Sequence, residues 1–108
     1  MSNILSHQTI TVAATNATYT LPRNAVSIVL RCPSTNAGTT YIMIDSTPSN
    51  STEGTPIRAN ETINVDLTQN IAALQTTGAP ITAELFMRSV AVIGTAADVL
   101  YLDVVTWV

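Results

Sequence analysis

Apolar and polar residues alternate along most of this chain. From Gly54 to Leu67 the run GTPIRANETINVDL sets Ile63, Val65 and Leu67 on one side of an extended backbone, with Thr62, Asn64 and Asp66 on the other. A period of two is the mark of a strand with one buried face, so residues 57–67 are expected to be a strand. Residues 25–32, AVSIVLRC, repeat the pattern: Val26, Ile28, Leu30 and Cys32 face in, and Ser27 and Arg31 face out beside Val29. Pro33 ends that run because it has no ladder donor. After the turn cluster PSTNAGT, residues 40–46 return with Ile42 and Ile44 opposed to Tyr41, Met43 and Asp45. The two runs together predict a hairpin with a longish loop.

The remaining segments are of the same kind. Residues 1–7 form a polar arm in which only Ile4 and Leu5 are bulky and apolar beyond the first Met, expected to be disordered unless a partner holds it. Residues 8–14 place Ile10 and Val12 on one face of a first strand, and 19–22 make a short strand closed by Pro22. Residues 47–56, TPSNSTEGTP, are either a solvated loop or a contact loop ordered against a partner. Around 66–76 two readings stand. Asp66 as a cap, Leu67/Ile71/Leu74 spacing and Gly78 as a stop describe a short helix, whereas a helical turn at 67–70 leading into a strand at 71–75 fits the alternation. Residues 81–88 predict a strand with Ile81, Ala83, Leu85 and Met87 inward and Thr82, Glu84, Phe86 and Arg88 outward, extended by 90–94. Residues 99–108 form a last strand with Leu100, Leu102 and Val104 on one face and Tyr101, Val105 and Trp107 on the other. A strand apolar on both sides is either central in a sandwich or covered by a subunit.

About eight short strands spaced by turn signals predict an all-β, single-domain antiparallel β-sandwich, jelly-roll-like, over residues 8–108, preceded by the arm 1–7. The length of 108 residues is that of one domain.

Composition narrows the function more than the fold. Charged residues are 10% of the chain, against the usual share of about 25%. Thr, Ser and Asn take their place. Net charge is −3, Lys is absent and the four Arg are scattered, so there is no basic stripe for a phosphate backbone, no Schiff-base lysine and no P-loop. No nucleic-acid partner is expected. A surface this poor in charge suits a protein that sits against others. MSNILSHQ lacks a signal-peptide pattern and no apolar run reaches the ~18 residues of a membrane span, so a cytosolic origin without membrane contact is expected.

Reactive side chains are few and scattered. Cys32 is a single cysteine in apolar company and reads as a small buried hydrophobe. His7 is the one histidine, in the arm, without a second ligand nearby. The acids Asp45, Glu53, Glu61, Asp66, Glu84, Asp98 and Asp103 are dispersed, with no D-x-D-x-D loop. No catalytic residue, metal ligand or cofactor is assigned. Tyr41, Tyr101 and Trp107 are candidates for a sugar-stacking platform, with core or subunit packing as the competing reading.

The order RNAVSIVLR…TTYIMID…GTPIRANETINVDL…NIAAL…GAPITAELF, from Arg23 to Phe86, resembles small β-sandwich virion proteins of tailed bacteriophages. The resemblance implies a non-enzymatic structural protein of the capsid decoration (cement) type, which stabilises the head by binding between major capsid subunits. It also implies a homotrimer on the virion surface, made in the host cytoplasm. Family members also serve as fibre or tail accessory modules, which makes receptor or glycan binding the alternative. The residues expected to make subunit or capsid contacts are Ile4, Leu5, Val29, Met43, Phe86, Tyr101, Val105 and Trp107.

Overall fold

The computed structural model describes residues 3–45, 54–68, 76–78 and 85–107. Seven strands make up the described fold: β1 (Asn3–Thr11), β2 (Ala17–Arg31), β3 (Thr40–Ile44), β4 (Thr55–Ile57), β5 (Thr62–Asp66), β6 (Met87–Ile93) and β7 (Val99–Trp107). All pairings are antiparallel, in the order β1-β7-β2-β6-β3-β4, with β5 on β2. The protein is an all-β antiparallel sandwich.

The long strand β2 belongs to both layers. Its first part, Ala17–Thr20, pairs with β6, while Ser27–Arg31 lies between β7 and β5. The register shifts between Thr20 and Ala25 and again between Ala25 and Ser27, and Asn24 takes a positive φ of 62°. Strands change layer through such bends. Pro22 stands in that bend, where the register with β6 is broken. Its missing N–H therefore interrupts no regular stretch of ladder, and 19–22 and 25–32, expected as separate strands, are one.

Inward residues of the two layers meet in a single core. Ile10 of β1 and Val12 just past it, Ile28 and Leu30 of β2, and Leu100, Leu102 and Val104 of β7 pack with Ile42, Ile57, Val90 and Val92 of the other layer. Cys32 is in the same core, as expected for a small hydrophobe. Ile63, Val65 and Leu67 pack against it half-buried, and Thr62, Asn64 and Asp66 are exposed, as the alternation requires.

Three further boundaries differ from the sequence reading. β1 begins at Asn3, so Asn3–His7 is the first half of a paired strand instead of a loose arm. Its complement is the largely apolar β7, in nine-residue register from Asn3↔Trp107 to Thr11↔Val99. Residues 57–67 are two strands. Asn60 takes φ 68°, Glu61 N–H returns to the Arg58 carbonyl at 3.1 Å, and the chain turns there; Asn tolerates that left-handed position. The expected hairpin of 25–32 with 40–46 does not form: β3 lies between β6 and β4 in the opposite layer.

The 33–39 connection makes that crossing because polar side chains pin it. Asp98 is 6% exposed and its two carboxylate oxygens accept the N–H groups of Ala37 and Gly38, each at 2.9 Å. Asn36 pairs its side-chain amide with the backbone of Val99 at 2.8 and 2.9 Å, as another strand would. Both readings of 71–75, the strand expected over 81–84 and the loop 47–53 fall outside the described residues. Thr68, Thr76 and Thr77 have helical backbone, and Asp66 Oδ1 accepts the Thr68 N–H at 2.8 Å in the manner of a cap.

Candidate functional site

β7 is central in its layer, with β1 on one side and β2 on the other. Strand alternation sends its odd-numbered side chains to the outer face, and the register sets them in rows with neighbours of the same parity. Leu5, Val105 and Ser27 make one row, His7, Asp103 and Val29 the next, and Thr9, Tyr101 and Arg31 the third. Sequence alone offered two explanations for a strand apolar on both sides, and the central position accounts for the inner face. The outer face carries Val29, Tyr101, Val105 and Trp107 half-buried, with Leu5 68% exposed at its margin.

The polar middle of this face is ordered by cross-strand contacts. His7 Nδ1 lies 2.5 Å from Asp103 Oδ1, and Thr9 Oγ1 lies 3.4 Å from His7 Nε2. The His7 ring stacks beside Tyr101, centroids 6.0 Å apart and planes 23° from parallel, and the Arg31 guanidinium sits 4.8 Å above the Tyr101 ring. Asp103, His7 and Thr9 follow the order of a nucleophile triad. The Thr9–His7 separation nevertheless exceeds the ~3.2 Å reach of proton transfer between such groups. All three stand on an open strand face.

The eight residues expected to make contacts are divided by the fold. Leu5, Val29, Tyr101, Val105 and Trp107 share the outer face. Ile4 holds a ladder position opposite Thr106. Met43 is half-buried on β3, in the other layer. Phe86, expected to point outward, is 6% exposed and packs with Val26, with Leu67, Val105 and Trp107 against them. The correction has a local cause: regular β6 begins only at Met87, so the alternation projected from 81–88 does not reach Phe86. A shift between Ala25 and Ser27 lets Val26 join it.

The described carboxylates are occupied one by one in local bonds. Asp45 Oδ1 accepts Arg88 N–H at 2.7 Å and Ser89 N–H at 2.9 Å, Glu61 accepts Arg58 N–H at 2.7 Å, and Asp98 holds the 33–39 turn. Bonds from Thr68 hold the Asp66 carboxyl below its ordinary range. Among the described residues no three His, Cys, Asp or Glu side chains converge as a metal site. Burial pushes the Cys32 thiol up, against smaller opposing effects of Thr40 and Asn36. What sequence reasoning missed is the His7–Asp103 pair. NILSHQTIT carries no regular alternation, since Leu5 follows Ile4 and Ser6 to Thr9 are all polar, so the local pattern gave little sign that His7 lies on a strand.

No protein-family model matches this chain, and neither does any curated protein. One solved structure, described as "Bacillus endospore appendages form a novel family of disulfide-linked pili", is similar over 97% of this chain and 86% of its own. Identity is 13% and the TM-score 0.49. A likeness at that level carries no conclusion about this chain.

Proposed function

We propose that this chain is a non-enzymatic structural protein of a phage virion. In this reading it is a capsid decoration protein that stabilises the head by seating between major capsid subunits. The supporting observation is the outer face of the β1-β7-β2 layer, where Val29, Tyr101, Val105 and Trp107 stand half-buried with Asp103 and Arg31 as the charged residues among them. Faces of this composition gain binding energy from burying aromatic and aliphatic side chains. Asp103 is already paired with His7, whereas the exposed Arg31 over the neutral Tyr101 ring keeps its charge, so a partner covering this face must leave Arg31 in water or supply it an acceptor. A three-fold assembly is implied by the family resemblance alone.

The alternative, a glycan-binding fibre or tail module, finds less support at Tyr101, because Arg31 occupies the ring face a sugar would stack on. The test is to add the protein to purified heads that lack it and measure release of DNA on heating. Protection by the native chain, lost with Val105→Glu, is the expected result. Equal survival with and without the protein, or protection unchanged by Val105→Glu, removes the reading.

A further inference from the structure

We propose that the open edge of β1 is the seam of a two-fold dimer, β1 pairing antiparallel with β1 of a second copy about an axis through His7. The direction of the backbone groups follows from one bond. Val12, just past β1, donates its N–H to the Asp98 carbonyl at 2.8 Å. The N–H and C=O of a strand residue point the same way and reverse at the next residue. Ser6, Gln8 and Ile10 therefore direct theirs at β7, while Asn3, Leu5, His7, Thr9 and Thr11 direct theirs outward. Among the described residues no strand takes up these outward groups.

Open edges are normally blunted by charge, Pro, a bulge or shortness. β1 has none of these. Between Asn3 and Thr11 there is no Lys, Arg, Asp, Glu, Pro or Gly, and its nine-residue register with β7 runs without a shift. The other described edges are defended: β4 has three residues including Pro56, and β5 has five, ending on Asp66. The His7 side chain leans over β7 toward Asp103 and Tyr101 and leaves the edge uncovered.

A second copy fits this edge in one full-length register. Asn3 faces the partner's Thr11, Leu5 faces the partner's Thr9, and His7 faces the partner's His7. Only outward-directed residues then face each other, five pairs each exchanging two bonds, about ten in all. β1 has no Lys, Arg, Asp or Glu to set against its like, and each His7 keeps its own contact with Asp103. Leu5, the exposed large hydrophobic residue of the described surface, covers the methyl of the partner's Thr9. The two outer faces become one continuous eight-stranded surface. This inference rests on the fold and not on the shell-binding reading.

Sedimentation velocity of the full chain tests it, with twice the 11.4 kDa chain mass expected. Leu5→Lys and, separately, Thr9→Pro, whose lost N–H faces away from β7, should weaken dimerisation at least ten-fold while circular dichroism stays native. For register, His7→Cys should form an intermolecular disulfide on mild oxidation, since Cα atoms of a hydrogen-bonded pair lie about 5.5 Å apart, within disulfide reach. Thr11→Cys should not. A monomeric or trimeric wild type, a dimer indifferent to both edge variants, or crosslinking at Thr11 but not His7 would overturn the proposal. If the edge variants fail to fold, the crosslinking pair decides alone. Loss of head protection with the dimer intact would remove the shell reading and leave the seam standing.

Discussion

His7 and Asp103 are 96 residues apart in the chain and stand directly opposite each other on β1 and β7, with Nδ1 2.5 Å from Oδ1. Both side chains are more than a third exposed, 53% and 36%, so water and salt screen the pair. Asp103→Asn should therefore cost at most ~1 kcal/mol in urea unfolding, less in 0.5 M salt. A loss of several kcal/mol would mean that the pair is shielded by something on this face.

Leu30 and Leu102 face one another across β2 and β7, both essentially without exposure. Leu30→Ala or Leu102→Ala should each destabilise by about 2–5 kcal/mol, from lost burial plus the remaining cavity. As neighbours they share that cavity, so the double variant should differ measurably from the sum of the two. Chemical denaturation with an unchanged slope is the check.

Asp98 should matter more than its single charge suggests. Asp98→Ala leaves the N–H groups of Ala37 and Gly38 without their acceptor in a half-buried turn. At roughly 1–3 kcal/mol for a buried group left without a partner, and less at the exposed Ala37, the variant should lose about 2–4 kcal/mol. Hydrogen exchange at Ala37 and Gly38 should accelerate before exchange in β6 does.

Two groups set opposite pH dependences. The Asp66 carboxyl is held low by its bonds from Thr68, so the folded state binds that proton less readily than the unfolded chain. Its contribution is present above the ordinary carboxylate range near pH 4 and is lost as pH falls through the lower folded value. Asp66→Asn keeps the cap but should remove this acid-side slope. Cys32, raised by burial, acts on the other side: its contribution is complete below the unfolded thiol range near pH 8.5–9 and declines as pH rises toward the folded value. Cys32→Ala should flatten that alkaline decline, and iodoacetamide should label Cys32 quickly only in denaturant.

The fold class was legible because alternation is local. Ile63/Val65, Ile28/Leu30 and Leu100/Leu102/Val104 were placed on the inner face from the residues alone, and the core contains or borders all of them. Pairing was not legible, because it depends on which distant strands share a layer. The turn at Asn60 and the bend holding Pro22 both hinge on backbone that leaves the extended region, at Asn60 and Asn24, and Asn takes that conformation only where tertiary context asks for it. The outer face was half legible. The parity of Val29, Tyr101, Val105 and Trp107 was right, whereas Phe86 was misplaced because the strand it was projected from starts one residue after it. The meeting of His7 and Asp103 required knowing that the first and last strands are neighbours.

That adjacency has a bearing on how the protein is made. At 5–20 residues per second, the ribosome needs roughly 5–20 s to travel the 96 residues from His7 to Asp103. For that interval β1 lacks its one partner strand, and the second half of β2, once made, lacks β7 along one side. Nascent chains stalled before residue 99 should therefore stay protease-sensitive along their whole length, and completion of the domain becomes a single late event triggered by its final strand.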